Sequence, residues 1–431
     1  MSRLSFSSPP ARLAAAVAPN HAKASSDAFY RDLQLCVHRA RYSRAQRQRI
    51  GALTCSSSRA HRCPDGSCVL ATAEDRSLNL FALDCSAASP LASTSAHTLD
   101  SAWTHLPPDS VLSSAWYPGA SISDPAMFTF AVGVKDHPVH LLDGNDRRVR
   151  ASYPIVDHTE RFVAPHSMSF SPDGTSLYCG FDNAIEIFDV GRPGDEGYRM
   201  KTTRTRSSRD GQKGIVSSLA FSGPDPSSGS SCLAAGSFSG SVGLYDPSSS
   251  TPLIELLAPS QRGGVTKVLF HPLSPHLLFA ASRQSSNLDV WDLRNTSRTS
   301  SSGRLPRNGR TNQRLGFDID PTGTWLAAGD QDGAVSVFSA QPLPDEVEPV
   351  TSFSLATEPL GATLFHPYLP LLLTASGTRK FGARRGQGKK LSDGHCESSD
   401  EEDEPGRDAD AQLGAQRQAQ ARASLELWAL S

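Results

Sequence analysis

At 431 residues the chain could hold two or three average domains, although closed all-β folds of this size also occur as one unit. A hydrophobic content of 38 %, with 33 Gly and 30 Pro, suits many short strands joined by turns, plus stretches that cannot pack. A net charge of -2 excludes a global field that would steer the whole molecule to nucleic acid or to an anionic membrane, so any contact with a polyanion has to be local.

Residues 1 to 26 read as a disordered leader. They carry Arg3, Arg12 and Lys23 and no acid before Asp27, which is also the look of a mitochondrial transit peptide, but they lack the apolar core of a secretory signal. No apolar run approaches the roughly 18 to 20 residues needed to cross a bilayer, so a soluble protein that is neither exported nor membrane-bound is expected.

From residue 27 onward one phrase recurs: an apolar run ending in Phe, a turn with Pro, a second run of small apolar residues, a turn, and an alternating strand closing on aromatic-Asp. Clear copies are HSMSFSPDGTSLYCGFDNAIEIFDV (166 to 190), VSSLAFSGPDPSSGSSCLAAGSFSGSVGLYD (216 to 246), VTKVLFHPLSPHLLFAASRQSSNLDVWDL (265 to 293) and LGFDIDPTGTWLAAGDQDGAVSVFS (315 to 339). Weaker copies run from 63 to 84 and from 114 to 143, and a seventh is split, LFHPYLPLLLTASG (364 to 377) being completed by LELWAL (425 to 430). The uninterrupted copies close about 46 to 59 residues apart, near the roughly 40 to 45 of a WD-repeat blade, and the long last step becomes ordinary once 378 to 423 is set aside. A four-stranded blade cannot bury its own faces, so seven copies predict one cooperative seven-bladed WD-repeat β-propeller over 27 to 431.

The chain stops after the third strand of the seventh copy, so another segment has to supply the fourth. DAFYRDLQLCVHRA (27 to 40), alternating through Leu33, Leu35 and Val37, is the predicted latch, and pairing it on the last blade removes an exposed edge. Blade one fits less well: SSSRAHRC stands where an apolar inner strand belongs, which predicts a weak or displaced strand. Asp84, Asp143, Asp189, Asp246 and Asp292, at the closing position, are expected to anchor turns through side-chain to backbone hydrogen bonds and so to serve stability.

Two stretches read as arginine-rich inter-blade connections: 199 to 213, with Arg199, Lys201, Arg204, Arg206, Arg209 and Lys213, and 294 to 314, with Arg294, Arg298, Arg304, Arg307, Arg310 and Arg314. In a propeller such connections share a rim with the loop after each second strand, which places the basic half of the insertion there too. Gathered basic segments on a nearly neutral protein are the footprint of nucleic-acid backbone contacts; ligand-free Ser/Arg padding is the plain alternative. The insertion 378 to 423 divides into a basic half, TRKFGARRGQGKK, like a nuclear-import cluster, and an acidic half in which Ser398 and Ser399 precede Asp400, Glu401 and Glu402 as targets for an acidophilic kinase. A merely solvated charged loop is the competing reading.

No phosphate loop, HExxH, GxSxG or CxxC is present, and the eight cysteines are scattered, so neither a zinc site, a cofactor, a disulfide framework nor an enzyme is indicated; the cysteines are expected as buried thiols. His166, His271 and His366 fall near the first strand of three different repeats and are expected to be structural.

The middle and C-terminal blades resemble the telomerase Cajal body protein family. The phrases that carry it are HSMSFSPDGTSLYCGFDNAIEIFDVGRPG, GQKGIVSSLAFS, LAAGSFSGSVGLYD, GGVTKVLFHP, TNQRLGFDIDPTGTWLAAGDQDGAVSVFSA and HPYLPLLLTASG, with KDHPVHLLD in blade two. The likeness is good from about 110 to 377, and generic WD repeats lack the run TNQRLGFDIDPTG. It implies a non-catalytic nuclear scaffold, Cajal bodies included and with some cytoplasmic protein, that binds small nuclear or Cajal body RNA, including telomerase RNA, beside box H/ACA or spliceosomal core proteins. Fungal relatives point to spliceosomal particle assembly. Family-matching rim candidates are Lys135, Arg283, Gln313 and Arg314, joining Arg204, Arg206, Arg209 and Arg310 from the basic connections. A monomer is expected, with a chaperonin as a candidate folding partner and other proteins docking on the propeller faces. The rival class is a protein–protein platform without RNA affinity.

Overall fold

The computed structural model describes residues 47–52, 57–73, 75–83, 101–205, 208, 210–224, 231–249, 252–295, 301–340, 347–377 and 424–429. They form 28 strands in seven four-stranded antiparallel sheets, and no helix occurs among them. Each sheet is a blade of a seven-bladed propeller. The inner strands, in blade order, are Ser57–Arg62, Val111–Trp116, Ser167–Phe170, Val216–Phe221, Val265–Phe270, Phe317–Ile319 and Leu360–Phe365.

Burial follows from a blade being sandwiched between two neighbours. The second strands Cys68–Ala73, Thr129–Val134 and Leu371–Ser376 are buried at every position, because both faces of the sheet are covered and small residues let the next sheet approach to the ordinary ~10 Å. Outer strands have no such cover: Leu253–Leu257 alternates half-buried and exposed, leaving Ile254 and Leu256 at the periphery.

The ring closes where blades one and seven meet. Ala60, Val69 and Phe81 of blade one share a core with Leu364, Leu373 and Leu427 of blade seven. The fourth strand of blade seven comes from the N-terminal side: Arg47–Ala52 pairs antiparallel with Ser424–Ala429, Arg47 opposite Trp428 and Ile50 opposite Leu425. The latch predicted at the N-terminal end is therefore present, but about seven residues beyond the predicted segment, and 27 to 40 lies outside the described residues.

Blade one also departs from expectation. Ser57–Arg62 pairs with Cys68–Ala73 through the whole strand, with a bulge near its start. A polar sequence suffices because the innermost strand has one edge on the central channel; Ala60 packs into the core while His61 and Arg62 are half-buried on the channel wall.

Strands alternate in direction, so first-to-second and third-to-fourth turns open on one rim, called lower here. Second-to-third turns and the connections between blades open on the other, the upper rim. On the lower rim the residue after the inner strand reaches to the next blade in blades one, five and seven. His271 Nε2 donates to the Gly323 carbonyl at 2.8 Å, while its Nδ1 accepts from the Leu273 and Ser274 amides, which fixes a neutral tautomer. His366 repeats the arrangement across the ring closure, Nε2 lying 3.2 Å from the Gly66 carbonyl. In blade one the same position is Cys63, whose buried thiol donates to Ala120 O at 3.2 Å. Gly323 (φ +67°) and Gly66 (φ +75°) have no room for a Cβ, which would collide with the imidazoles of His271 and His366.

Candidate nucleic-acid interface

The upper rim is where most of the basic candidates meet. Its described loops divide by charge. From the connection between blades three and four to that between five and six, Arg204, Lys213, Arg262, Arg283, Arg307, Arg310 and Arg314 stand against the single acid Asp210. Around the rest of the rim, Asp75, Asp109, Asp136, Asp157, Glu160, Asp182, Asp330, Asp332 and Glu358 outnumber Arg76, Lys135 and Arg161. Among its described residues, the upper rim of a protein of nearly zero net charge thus carries a basic arc and an acidic arc.

At the centre of the basic arc two candidates converge on a residue that sequence reading did not single out. The Arg283 guanidinium lies 4.4 Å and that of Arg314 5.4 Å from the ring centroid of Phe238. Phe238 occupies the second-to-third turn of blade four, and His166 approaches it edge-on at 6.3 Å. His166 precedes its inner strand, so it stands at the upper mouth of the channel rather than at the lower-rim position shared by His271 and His366. A guanidinium over an aromatic ring remains charged, and this pairing is the chemistry that takes phosphates and splayed bases. An aromatic at a turn tip usually held by Ser, Asp or Gly was the available signal for Phe238.

Local hydrogen bonds hold these loops. Gln284 N donates to Thr311 O at 2.9 Å and its Nε2 to Asn312 at 2.8 Å, tying the turn that carries Arg283 to the connection that carries Arg310, Gln313 and Arg314. Gln212 is buried, donating to Ala235 O and accepting from Tyr245 Oη, and Gly214 N donates to Asn183, so the loop bearing Arg204 and Lys213 is fixed at its C-terminal end. Arg307 is buried; burial pushes its guanidinium down to about 10 against the opposing pull of Asp330, so it supports the loop and does not face a ligand. Arg204 and Arg310 are exposed, and Gln313 is half-buried.

Other predicted residues fall elsewhere. Lys135 is on the same rim but in blade two, within the acidic arc, 3.7 Å from Asp136. Arg206 and Arg209 lie outside the described residues. The two arginine stretches are not wholly inter-blade connections: Tyr198–Lys201 is the outer strand of blade three, where Arg199 pairs with Glu186 at 2.6 Å, and Gly303–Pro306 is that of blade five. Arg294 is therefore on a lower-rim turn, paired with Asp292 at 2.6 Å, and Arg298 is outside the described residues. Leu305 is the only apolar residue buried in Gly303–Pro306, too little pattern to mark a strand in advance.

At the closing positions, Asp143, Asp189, Asp246 and Asp292 each accept the amide two residues on, from Asn145, Gly191, Ser248 and Arg294. Asp143 also takes Arg150, and its carboxyl is held below the usual range by hydrogen bonds and that guanidinium, which outweigh its burial. Asp84 lies outside the described residues, as do 378 to 423 with Ser398 and Ser399; the flanks of that insertion, Ser376 and Ser424, meet at the upper rim with their hydroxyls 2.9 Å apart. Among the described residues no three His, Cys, Asp or Glu cluster as metal ligands.

No family model matches the chain. It is 33 % identical over 374 residues to Telomerase Cajal body protein 1 of Bos taurus, covering 85 % of this chain and 63 % of that protein. Against Telomerase Cajal body protein 1 of Mus musculus the identity is 34 %, covering 74 % and 58 %. A Schizosaccharomyces pombe protein called guanine nucleotide-binding protein negative regulator 1 is 30 % identical, covering 69 % of this chain and 74 % of its own. The chain thus spans about three fifths of the bovine and murine relatives.

Proposed function

This chain belongs to the telomerase Cajal body protein family, and on that premise we propose that it is a non-catalytic scaffold that holds a small nuclear RNA–protein particle on the basic arc of its upper rim. The WD-repeat scaffold is common ground; the RNA is our reading. The observation that carries it is the convergence of Arg283 and Arg314 on Phe238, flanked by exposed Arg204, Arg262 and Arg310 and almost free of acids. Phosphates would be met by the exposed arginines, which position but do not discriminate, and an unstacked base by the guanidinium–Phe238 cluster. The acidic arc has the charge to receive basic proteins of the same particle. The reading carries with it a nuclear, Cajal body location and action without turnover. Gln313, beside this site, and Lys135, on the same rim in blade two, remain proposed contacts, as do Arg206 and Arg209, which lie outside the described residues.

The test is to sequence RNA crosslinked to the full-length protein in cells, beside a charge-reversed variant carrying Arg204→Glu, Arg262→Glu and Arg310→Glu. Small nuclear RNAs should be enriched on the wild type and lost from the variant. Equal recovery of proteins with no enriched RNA would establish the protein–protein platform instead. Arg199 is left untouched, since it holds buried Glu186 and its loss would confuse misfolding with lost contact.

A further inference from the structure

The central channel, about 560 Å³, is bounded by residues of all seven blades, mostly from their inner strands. No Asp or Glu is among the described residues that line it, whereas Arg314, Lys267 and Arg62 are. Inner strands run from upper to lower rim, so Arg314 stands at the upper mouth, Lys267 lies midway and Arg62 ends its strand near the lower mouth. At ~3.3 Å per residue the three spread over roughly 15 Å of depth.

These cations are held in place by the wall itself. Lys267 is half-buried, its Nζ donating to Phe317 O at 2.6 Å and lying 5.2 Å from the Phe317 ring. Asp318, behind the wall, is the carboxylate paired with them among the described residues; it accepts the Phe365 amide at 3.0 Å and lies 3.9 Å from Arg62. One acid thus serves two cations, and burial lowers the Lys267 pKa against the opposing pull of Asp318, as expected where positive charge is under-compensated. Ser114 and Thr363, buried in the same wall, have hydroxyls without a hydrogen-bond partner in the structure.

We propose that this channel binds a small soluble polyphosphate, its phosphates taken by Lys267 and Arg62 and its entry guided by Arg314. Its volume falls within the range of small-molecule sites, about 300 to 1,000 Å³. The ligand would complete the charge at the hub of the ring, and would raise the melting temperature by preferential binding to the closed propeller. This inference differs from the RNA reading in the groups that take the phosphates, Lys267 and Arg62, and shares with it only Arg314 at the upper mouth. The same phosphate chemistry could be offered by the 5′ end of an RNA, and the experiment separates the two.

Full-length protein is titrated calorimetrically with inorganic tripolyphosphate, inositol hexakisphosphate, and one short RNA bearing either a 5′-triphosphate or a 5′-hydroxyl. Binding of the free polyphosphates is expected to weaken at least tenfold in Arg62→Gln and in Lys267→Met, and to be unchanged in Arg310→Glu. Asp318→Asn keeps an acceptor for the Phe365 amide and removes the compensating charge, so affinity should rise several-fold, a gain that loosened packing would not produce. Should Lys267→Met fail to fold, Arg62→Gln and Asp318→Asn decide the matter. Absence of polyphosphate binding, or loss of it in Arg310→Glu with Arg62→Gln unaffected, overturns the proposal. A preference for the 5′-triphosphate RNA over both free ligands would overturn the metabolite in favour of an RNA end. Unchanged affinity for internal RNA in the channel variants keeps the outcome separate from the rim.

Discussion

The two rims use similar polar residues to opposite ends. On the lower rim, His271, His366 and Cys63 spend their hydrogen-bonding groups on backbone carbonyls and amides at adjacent turns, so their chemistry is consumed by holding the ring together. On the upper rim, Arg204, Arg262 and Arg310 are exposed, and Arg283 and Arg314 rest on a ring whose face leaves their charge intact. Which of the two a polar turn residue does depends on whether the neighbouring blade offers a backbone partner within reach, and that is decided by the turn opposite it.

The largest effect expected from breaking this contrast is on the lower rim. Gly323→Val forces a Cβ into His271 and a branched residue into positive φ, and should cost about 3 kcal/mol or more of stability, read as a drop in melting temperature, with RNA affinity of the folded fraction unchanged. Next comes the upper rim: the triple reversal Arg204→Glu, Arg262→Glu and Arg310→Glu should weaken RNA binding by roughly 100-fold at moderate salt and flatten its salt dependence, with little change in melting temperature. Equal losses of stability in both variants would erase the distinction.

Acid sharpens it further. Burial pushes His366 down to about 4 from an ordinary value near 6.5, so the unfolded chain binds a proton that the folded one refuses. Stability contributed by the neutral imidazole is therefore complete above pH 7 and lost progressively as pH falls through 6.5 toward 4, by about 1 to 2 kcal/mol between pH 7 and 5. Denaturant melts of His366→Gln should lose most of that slope, and an unchanged slope would remove His366 from the account. The smallest effect expected is for Phe238→Ser, roughly fivefold to tenfold on RNA affinity, about 1 kcal/mol, from loss of the platform under Arg283 and Arg314. Melting temperature should barely move, since Phe238 is only half-buried.

Much of this was legible along the chain. Seven copies of one phrase, each ending at residues such as Asp143, Asp189, Asp246 and Asp292, announced seven blades, because a repeat that cannot bury its own faces must stack. The missing last strand announced an N-terminal latch. Where that latch sits was not legible: Arg47–Ala52 is set by its register on Ser424–Ala429, and Gln48, Arg49 and Gly51 disguise it. The polar inner strand of blade one was similarly hidden, since a strand bordering a channel needs less apolar surface than hydrophobic patterning assumes. For the site, the arginines were visible but their sides were not, because one unrecognised outer strand, Gly303–Pro306, moves Arg294 to the opposite face.

By itself, then, the order of residues determined blade number, antiparallel strand sequence and the residues that close each turn, since these rest on spacing and periodicity within some forty neighbours. Only the closed ring decided that Arg283 and Arg314, with Phe238 between them, form one cluster, that acids and bases divide the upper rim, and that Arg62 and Lys267 share a channel with the Asp318 carboxylate behind its wall. Those juxtapositions join residues from different blades, and local preference contains no information about a distance that exists only after the sheets have come full circle.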